Sequence, residues 1–224
     1  MTFHRSIAAL AILSAAPAPA QERAVDWREI ATDDDRRRLR SWRDAWMAAL
    51  PEARWGGGGT VIAAEGPLFN PDRNLRDPAP PAGEYRCRTF KLGSQGTGGL
   101  DFVSHPWFRC RVGPDGAFSK VDGSQRPIGA IHPHTSGRAV FLGTLNLGDE
   151  RRVIRYGRDR NRDMAALVER VGERRWRMVF PYPRFESLLD VIELTPVSVG
   201  TTGGGITAGV GVTAGPGSGD SEAR

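Results

Sequence analysis

Apolar residues in the first third of the chain recur at helical spacing. Leu39, Trp42, Trp46, Ala49 and Leu50 stand three and four apart and line one face of a helix. Thr32 precedes Asp33, Asp34 and Asp35, so a capping hydroxyl and three acids meet the positive end of the helix dipole. The pattern ends near Pro51. Trp42 and Trp46 read as anchors that fasten this helix to the rest of the protein. The glycine run Gly56 to Gly59 breaks the chain, and Val61 to Glu65 has the length of one short helical turn. Pro67 to Pro81, rich in proline and aspartate, reads as ordered coil on the surface.

From Glu84 onward the period shortens to two. Glu84 to Leu92 places Tyr85, Cys87 and Thr89 on one side and Arg86, Arg88 and Phe90 on the other. Trp107 to Val112 sets Phe108, Cys110 and Val112 against Arg109 and Arg111. After the turn Gly113-Pro114-Asp115-Gly116 come Ala117 to Val121, Arg126 to His132, Arg138 to Leu147, Arg152 to Tyr156, Leu167 to Val171, Trp176 to Pro181 and Leu189 to Leu194. Gly172-Glu173-Arg174 has the composition of a hairpin tip. Parallel neighbours need crossovers of roughly a dozen residues, and these connections are too short. The expected fold is mainly β (α+β): an antiparallel barrel or strongly curled sheet, lipocalin-like, with the N-terminal amphipathic helix packed on it. A β-sandwich is the alternative.

The two ends read differently from the middle. Ser6 to Ala16 is an apolar stretch of signal-peptide length, and Ala18-Pro19-Ala20 supplies small residues at the cleavage positions. Residues 1–20 are therefore expected to be a signal peptide and the mature protein to be periplasmic or secreted. Residues 21–83 hold the helix and connector, and 84–196 the β domain, the two forming one fold unit. Residues 197–224, rich in Gly, Thr and Ser, bury too little to offset their ordering entropy and are expected to form a flexible tail.

Charge changes the picture little. The formal net charge is +5 and the pI about 9.8. Basic residues alternate with acids, as in the run from Asp33 to Arg38, so nucleic acid is not an expected partner. Lys91 and Lys120 are the only lysines among 31 basic residues. No apolar run reaches the roughly 20 residues of a membrane-spanning helix, so no integral membrane segment is expected after signal cleavage.

Two cysteines exclude a dense disulfide scaffold and a four-cysteine zinc site. Cys87 and Cys110 sit in matching contexts, Tyr-Arg-Cys-Arg and Phe-Arg-Cys-Arg, on the inward faces of what should be neighbouring strands. In an oxidising compartment they are expected to form a disulfide. His132-Pro133-His134, with His105 upstream, reads as a polar turn rather than a metal site, and no metal or other cofactor is expected. Ser124 belongs to a turn with no assignable base. Asp190 and Glu193 fall on opposite faces of a strand, so with Glu186 they do not form a glycosidase-like pair. Ion pairs at the barrel rim with Arg175, Arg177 and Arg184 suit them better. Asp159 and Asp163 belong to a charged loop.

Several segments resemble one family. They are Tyr85-Arg86-Cys87-Arg88 with Lys91-Leu92-Gly93, Phe108-Arg109-Cys110-Arg111-Val112, Gly123-Ser124-Gln125-Arg126-Pro127, Phe141-Leu142-Gly143, Tyr156-Gly157 and the run Phe185 to Leu194. In this order they are similar to the domain-of-unknown-function family 4893, over about Trp27 to Pro196. The resemblance implies an exported bacterial protein and carries no catalytic residues. The expected function is a non-enzymatic module binding a small ligand or an envelope protein, with Arg86, Arg88, Arg109, Arg111 and Arg126 as candidate binding residues. An envelope hydrolase, and an inhibitor or assembly factor of an envelope protein, are the alternatives.

Overall fold

The computed structural model describes residues 25–148 and 150–197. The proposed signal peptide, and the proposed tail beyond Val197, lie outside the described residues. After a single turn, α1 (Trp27–Ile30), come α2 (Asp33–Arg40) and α3 (Trp42–Ala53). Thr32 caps α2 as its residue type predicts, its hydroxyl accepting from the Asp35 N–H at 3.2 Å. The single helix expected to Pro51 is in fact two, divided at Ser41. It also runs past the proline, which gives up one helical hydrogen bond without ending α3. The glycine run bends the chain rather than breaking it. A π-turn over Arg54–Gly58, with Gly57 at φ +94°, leads into α4 (Gly59–Glu65). A Cβ on Gly58 would lie 2.4 Å from the Phe102 ring, so this close approach needs glycine.

Nine strands follow: β1 (Gly83–Ser94), β2 (Phe102–Ser104), β3 (Phe108–Val112), β4 (Ala117–Lys120), β5 (Gln125–Pro133), β6 (Ala139–Leu147), β7 (Asp163–Gly172), β8 (Arg175–Pro181) and β9 (Ser187–Pro196). Every pairing is antiparallel. The long strand β1 closes the sheet on β9, from Tyr85↔Pro196 to Ser94↔Ser187. Its first half pairs with β3 and its second half carries the short β2. The result is a closed eight-stranded up-and-down barrel with β2 as an additional strand.

Two expectations about strands are corrected. Arg152 to Tyr156 is loop rather than strand, and Phe102–Ser104 is a strand that the pattern did not reveal. The loop is held by Tyr156, whose hydroxyl donates to buried Asp35 and accepts from the Thr32 N–H at 3.1 Å. Its apolar residues therefore mark a tether to α2, not a sheet.

The core has two compartments divided by the barrel wall. Inside lie Tyr85, Cys87, Cys110, Phe118, Phe141, Trp176, Met178 and Leu194. Outside, residues of opposite parity in β1 and β6 to β9 (Phe90, Val140, Leu142, Leu167, Val179 and Val191) meet Leu39, Trp46, Leu50 and Leu68. Trp46 is fully buried, as expected of an anchor, while Trp42 is half-buried under the Arg138 guanidinium. The proline-rich connector is less superficial than expected, since Leu68 and Phe69 are buried. The side chains of Cys87 and Cys110 meet inside the barrel, their Cα atoms 6.0 Å apart and their sulfurs paired as a disulfide.

Candidate functional site

One end of the barrel is filled and the other is open. Tyr85 packs edge-on against Trp176, and Phe141 against Phe118 and Phe180, which plugs the interior. Beside this floor lies a cavity of about 750 Å³. That volume is in the range that holds a small organic ligand. The wall is apolar where it meets the floor, with Phe108, Leu145, Met164, Phe180 and Ile192. Polar residues of the same inward parity follow nearer the mouth.

Lys91 and Asp190 face each other across the β1–β9 ladder, with Lys91 Nζ 3.2 Å from Asp190 Oδ2. Glu186 also reaches the ammonium, at 3.1 Å. Ser187 donates to the other Asp190 oxygen. Burial pushes the Asp190 carboxyl above its ordinary pKa, and Lys91 only partly offsets it. Burial opposes the charge on Lys91, but Asp190 and Glu186 outweigh it and hold the ammonium above its ordinary pKa. His105, in the β2–β3 connection, lines the same cavity, and its backbone N–H donates to the Thr89 carbonyl at 2.9 Å. Burial, with Lys91 adding to it, pushes the imidazole pKa down.

Lys120 differs from Lys91. It stands opposite Cys110 in the β3–β4 ladder and shares its inward parity. Its ammonium lies 4.2 Å from the centre of the Phe108 ring. It has no ion pair or hydrogen bond among the described residues. The nearest acid in sequence, Asp122, is held by Arg109, whose Nε and Nη2 donate to its two oxygens at 3.0 and 2.9 Å. The chain's only two lysines thus both point into one cavity, and every other cationic side chain except histidine is arginine.

The β8–β9 loop borders the mouth and carries two non-glycine residues at positive φ, Tyr182 (45°) and Glu186 (71°). Backbone of this kind costs of order 1–3 kcal/mol per residue and is often found at ligand clamps. Arg184 of the same loop is tied to Asp34 of α2, which also receives Arg160 at 3.2 Å. A second hollow, of about 570 Å³, shares Lys91, Arg184, Phe185 and Glu186 with this cavity and extends to Gln95, Gly96, Thr97, Gly99 and Leu100.

The family model described as "Domain of unknown function (DUF4893)" matches residues 27–194. The chain belongs to this DUF4893 family. Its matched segment runs from α1 almost to the end of β9, so the DUF4893 domain contains the whole cavity. Neither the curated proteins nor the solved structures gave a match.

Within this DUF4893 barrel the candidate arginines face outward. Arg86 lies 4.7 Å from the Trp107 ring centre, and Arg88 is bound to Glu65 and Glu193. Arg109 pairs with Asp122, Arg111 with Glu84, and Arg126 donates to the Leu147 carbonyl at 3.2 Å. None of these five lines the cavity. Arg86, Arg109 and Arg111 gather on one exposed stretch of the β1–β3 wall.

The carboxylates are also distributed differently from expectation. Arg175 does pair with Glu193, but Arg184 pairs with Asp34. Arg177 is not at the rim: it is wholly buried against Glu169. Asp163, read as a charged-loop residue, is buried at the start of β7, where it accepts the Gly157 N–H at 2.8 Å. His134 packs edge-on to Trp27 at 5.4 Å, on another part of the molecule from the cavity. Ser124 is on the cavity rim. The structure brings Lys91, Lys120, His105 and Asp190 together in one cavity, a grouping the sequence analysis does not contain. The available signal was parity: extending the inward set of Tyr85 and Cys87 reaches Lys91, and extending that of Phe118 reaches Lys120.

Proposed function

We propose that this DUF4893 protein is an exported, non-enzymatic module that holds a small amphiphilic molecule in the open end of its barrel. The observation that carries the reading is the cavity of about 750 Å³, with an aromatic floor, apolar side chains in its wall and a few charged side chains among them. Such a container suits a ligand with an apolar body and a polar end. A disulfide inside the barrel is in keeping with an oxidising compartment, and hence with export to the periplasm or the medium.

Native mass spectrometry of the protein, purified gently from its own host, tests this. The expected result is a polypeptide beginning at Gln21 with a discrete added mass that leaves on denaturation. Ile192→Trp, which projects an indole into the cavity, should remove that mass and leave the fold intact by circular dichroism. A bare polypeptide that also takes up no apolar fluorescent probe would overturn the reading. A second reading has one observation in its favour. The outer faces of β3 to β5 contribute nothing to the core beneath the helices, and the adjoining exposed arginines 86, 109 and 111 would suit an acidic protein partner. Crosslinking that yields one dominant partner, lost when the three arginines are replaced by serine, would support it.

A further inference from the structure

The Lys120 side chain enters the barrel beside apolar groups and meets no counter-ion. Its neighbour in the cavity wall is Phe108, and Gly123 lies close to it: a Cβ there would sit 3.4 Å from Nζ. Each other cation lining the cavity is compensated. Lys91 has Asp190 and Glu186, Arg38 has Asp35, Arg162 has Glu150, and Arg184 has Asp34. Asp122 also borders the cavity and attracts the ammonium, but it forms no ion pair with Lys120, and Arg109 engages both of its oxygens.

Lys120 is half-buried, and a cation partly withdrawn from water without an ion-pair partner carries a desolvation cost that an opposite charge would offset. We infer that Lys120 receives the anionic head group, a carboxylate or a phosphate monoester, of an amphiphile whose apolar body lies on Phe108, Met164, Phe180 and Ile192. This rests on the proposed binding function and deepens it. Two further features agree. Burial holds the ammonium below its ordinary pKa and outweighs the opposing pull of Asp122, so an incoming anion would relieve a cost already present. Lysine also offers a compact charge on a flexible stem, suited to an end-on anion, whereas arginine serves every ion pair on the barrel's outer wall.

The test is calorimetric titration of the mature protein with four probes of one chain length: dodecanoate, dodecyl phosphate, dodecanol and dodecylammonium. At least one of the two anions should bind ten times or more tighter than dodecanol, and the tighter of the two identifies the head group. Lys120→Met should remove that preference while keeping dodecanol affinity, and Lys120→Arg should keep the preference. Retention of dodecanol binding shows that the variant folds and that its cavity is intact. Since the chain has only two lysines, reductive 13C-methylation gives two dimethyl-lysine signals, and the one absent in Lys120→Met should shift on adding the anion. Equal binding of anions and dodecanol, tighter binding of the ammonium, or a preference that survives in Lys120→Met would overturn the inference and leave the binding function standing. Binding of none of the four would count against both.

Discussion

Arg177 offers the sharpest test of how this fold is held together. Its guanidinium lies between the outer wall of β8 and the connector that follows α4. Nε donates to Glu169 Oε2 at 2.8 Å, and Nη2 lies 2.6 Å from the same oxygen. Nη1 donates to the carbonyls of Leu68 and Asn70 at 2.7 and 2.9 Å, and Nη2 to that of Arg73 at 3.1 Å. Four of the five N–H groups of the fork thus donate hydrogen bonds, Nη2 adds an ion-pair contact to Glu169, and the Trp46 ring lies 5.1 Å from the guanidinium. Glu169 is completed by Arg138, whose Nε donates to Oε1 at 2.6 Å.

Arg177→Met would leave Glu169 with one partner and strip three carbonyls, that of Leu68 buried and those of Asn70 and Arg73 partly so, of this donor. Removing one partner of a buried pair costs about 3–5 kcal/mol, against about 0.2–1 kcal/mol for an exposed pair. With a urea m-value of about 2 kcal/mol per M, the unfolding midpoint should fall by roughly 2 M. Urea titration followed by tryptophan fluorescence measures this directly. Combining Arg177→Met with Glu169→Met should cost less than the sum of the single changes, by about 1–3 kcal/mol, since the second removes the charge that the first strands. A midpoint shift under about 0.5 M for Arg177→Met, or strict additivity in the double variant, would refute the reasoning.

Reducing the Cys87–Cys110 disulfide releases a loop with a sequence separation of 23. It should lower stability by about 3 kcal/mol, read as the difference in urea midpoint with and without reductant. Arg184 and Arg160 hold the Asp34 carboxyl down to a pKa of about 2, from 3.8. Its contribution is thus fully present above about pH 4 and lost as pH falls through about 2. Asp34→Asn should cost about 1–2 kcal/mol at pH 7, and the melting-temperature gap from the unmodified protein should narrow steadily below pH 4. Gly143 faces inward, where a Cβ would lie 2.4 Å from both Phe141 Cζ and the Ile128 carbonyl oxygen. Gly143→Ala should therefore destabilise by about 1–3 kcal/mol in thermal unfolding, despite alanine's small size.

Much of the architecture was legible along the chain because it rests on local periodicity. A period of two from Glu84 onward sets strands and their inward faces, and by itself it puts Cys87 and Cys110 on the inward side. Short connections with Gly-Pro-Asp-Gly or Gly-Glu-Arg at their tips allow only antiparallel neighbours, and closure follows from the need to satisfy the edges. The cap at Thr32 is likewise a matter of adjacent residues. Tyr156 misled because its apolar ring serves a hydrogen bond to Asp35, 121 residues away, and not a strand.

What tertiary structure alone decided concerns which charges lose their water. Arg175, Arg177 and Arg184 look alike in the sequence, yet one is partly covered, one is wholly buried and one braces a loop at the cavity mouth. The difference arises because the connector after α4 folds back over β8 and offers its carbonyls to Arg177. Lys91 and Lys120 lie 29 positions apart, and their meeting in one cavity depends on the register that closes β1 against β9 and curls β3 and β4 beside it. Alternation along a strand determines which side a residue faces. Closure of the sheet determines what it faces there, because the partners that complete or strand a charge come from segments far away in the chain.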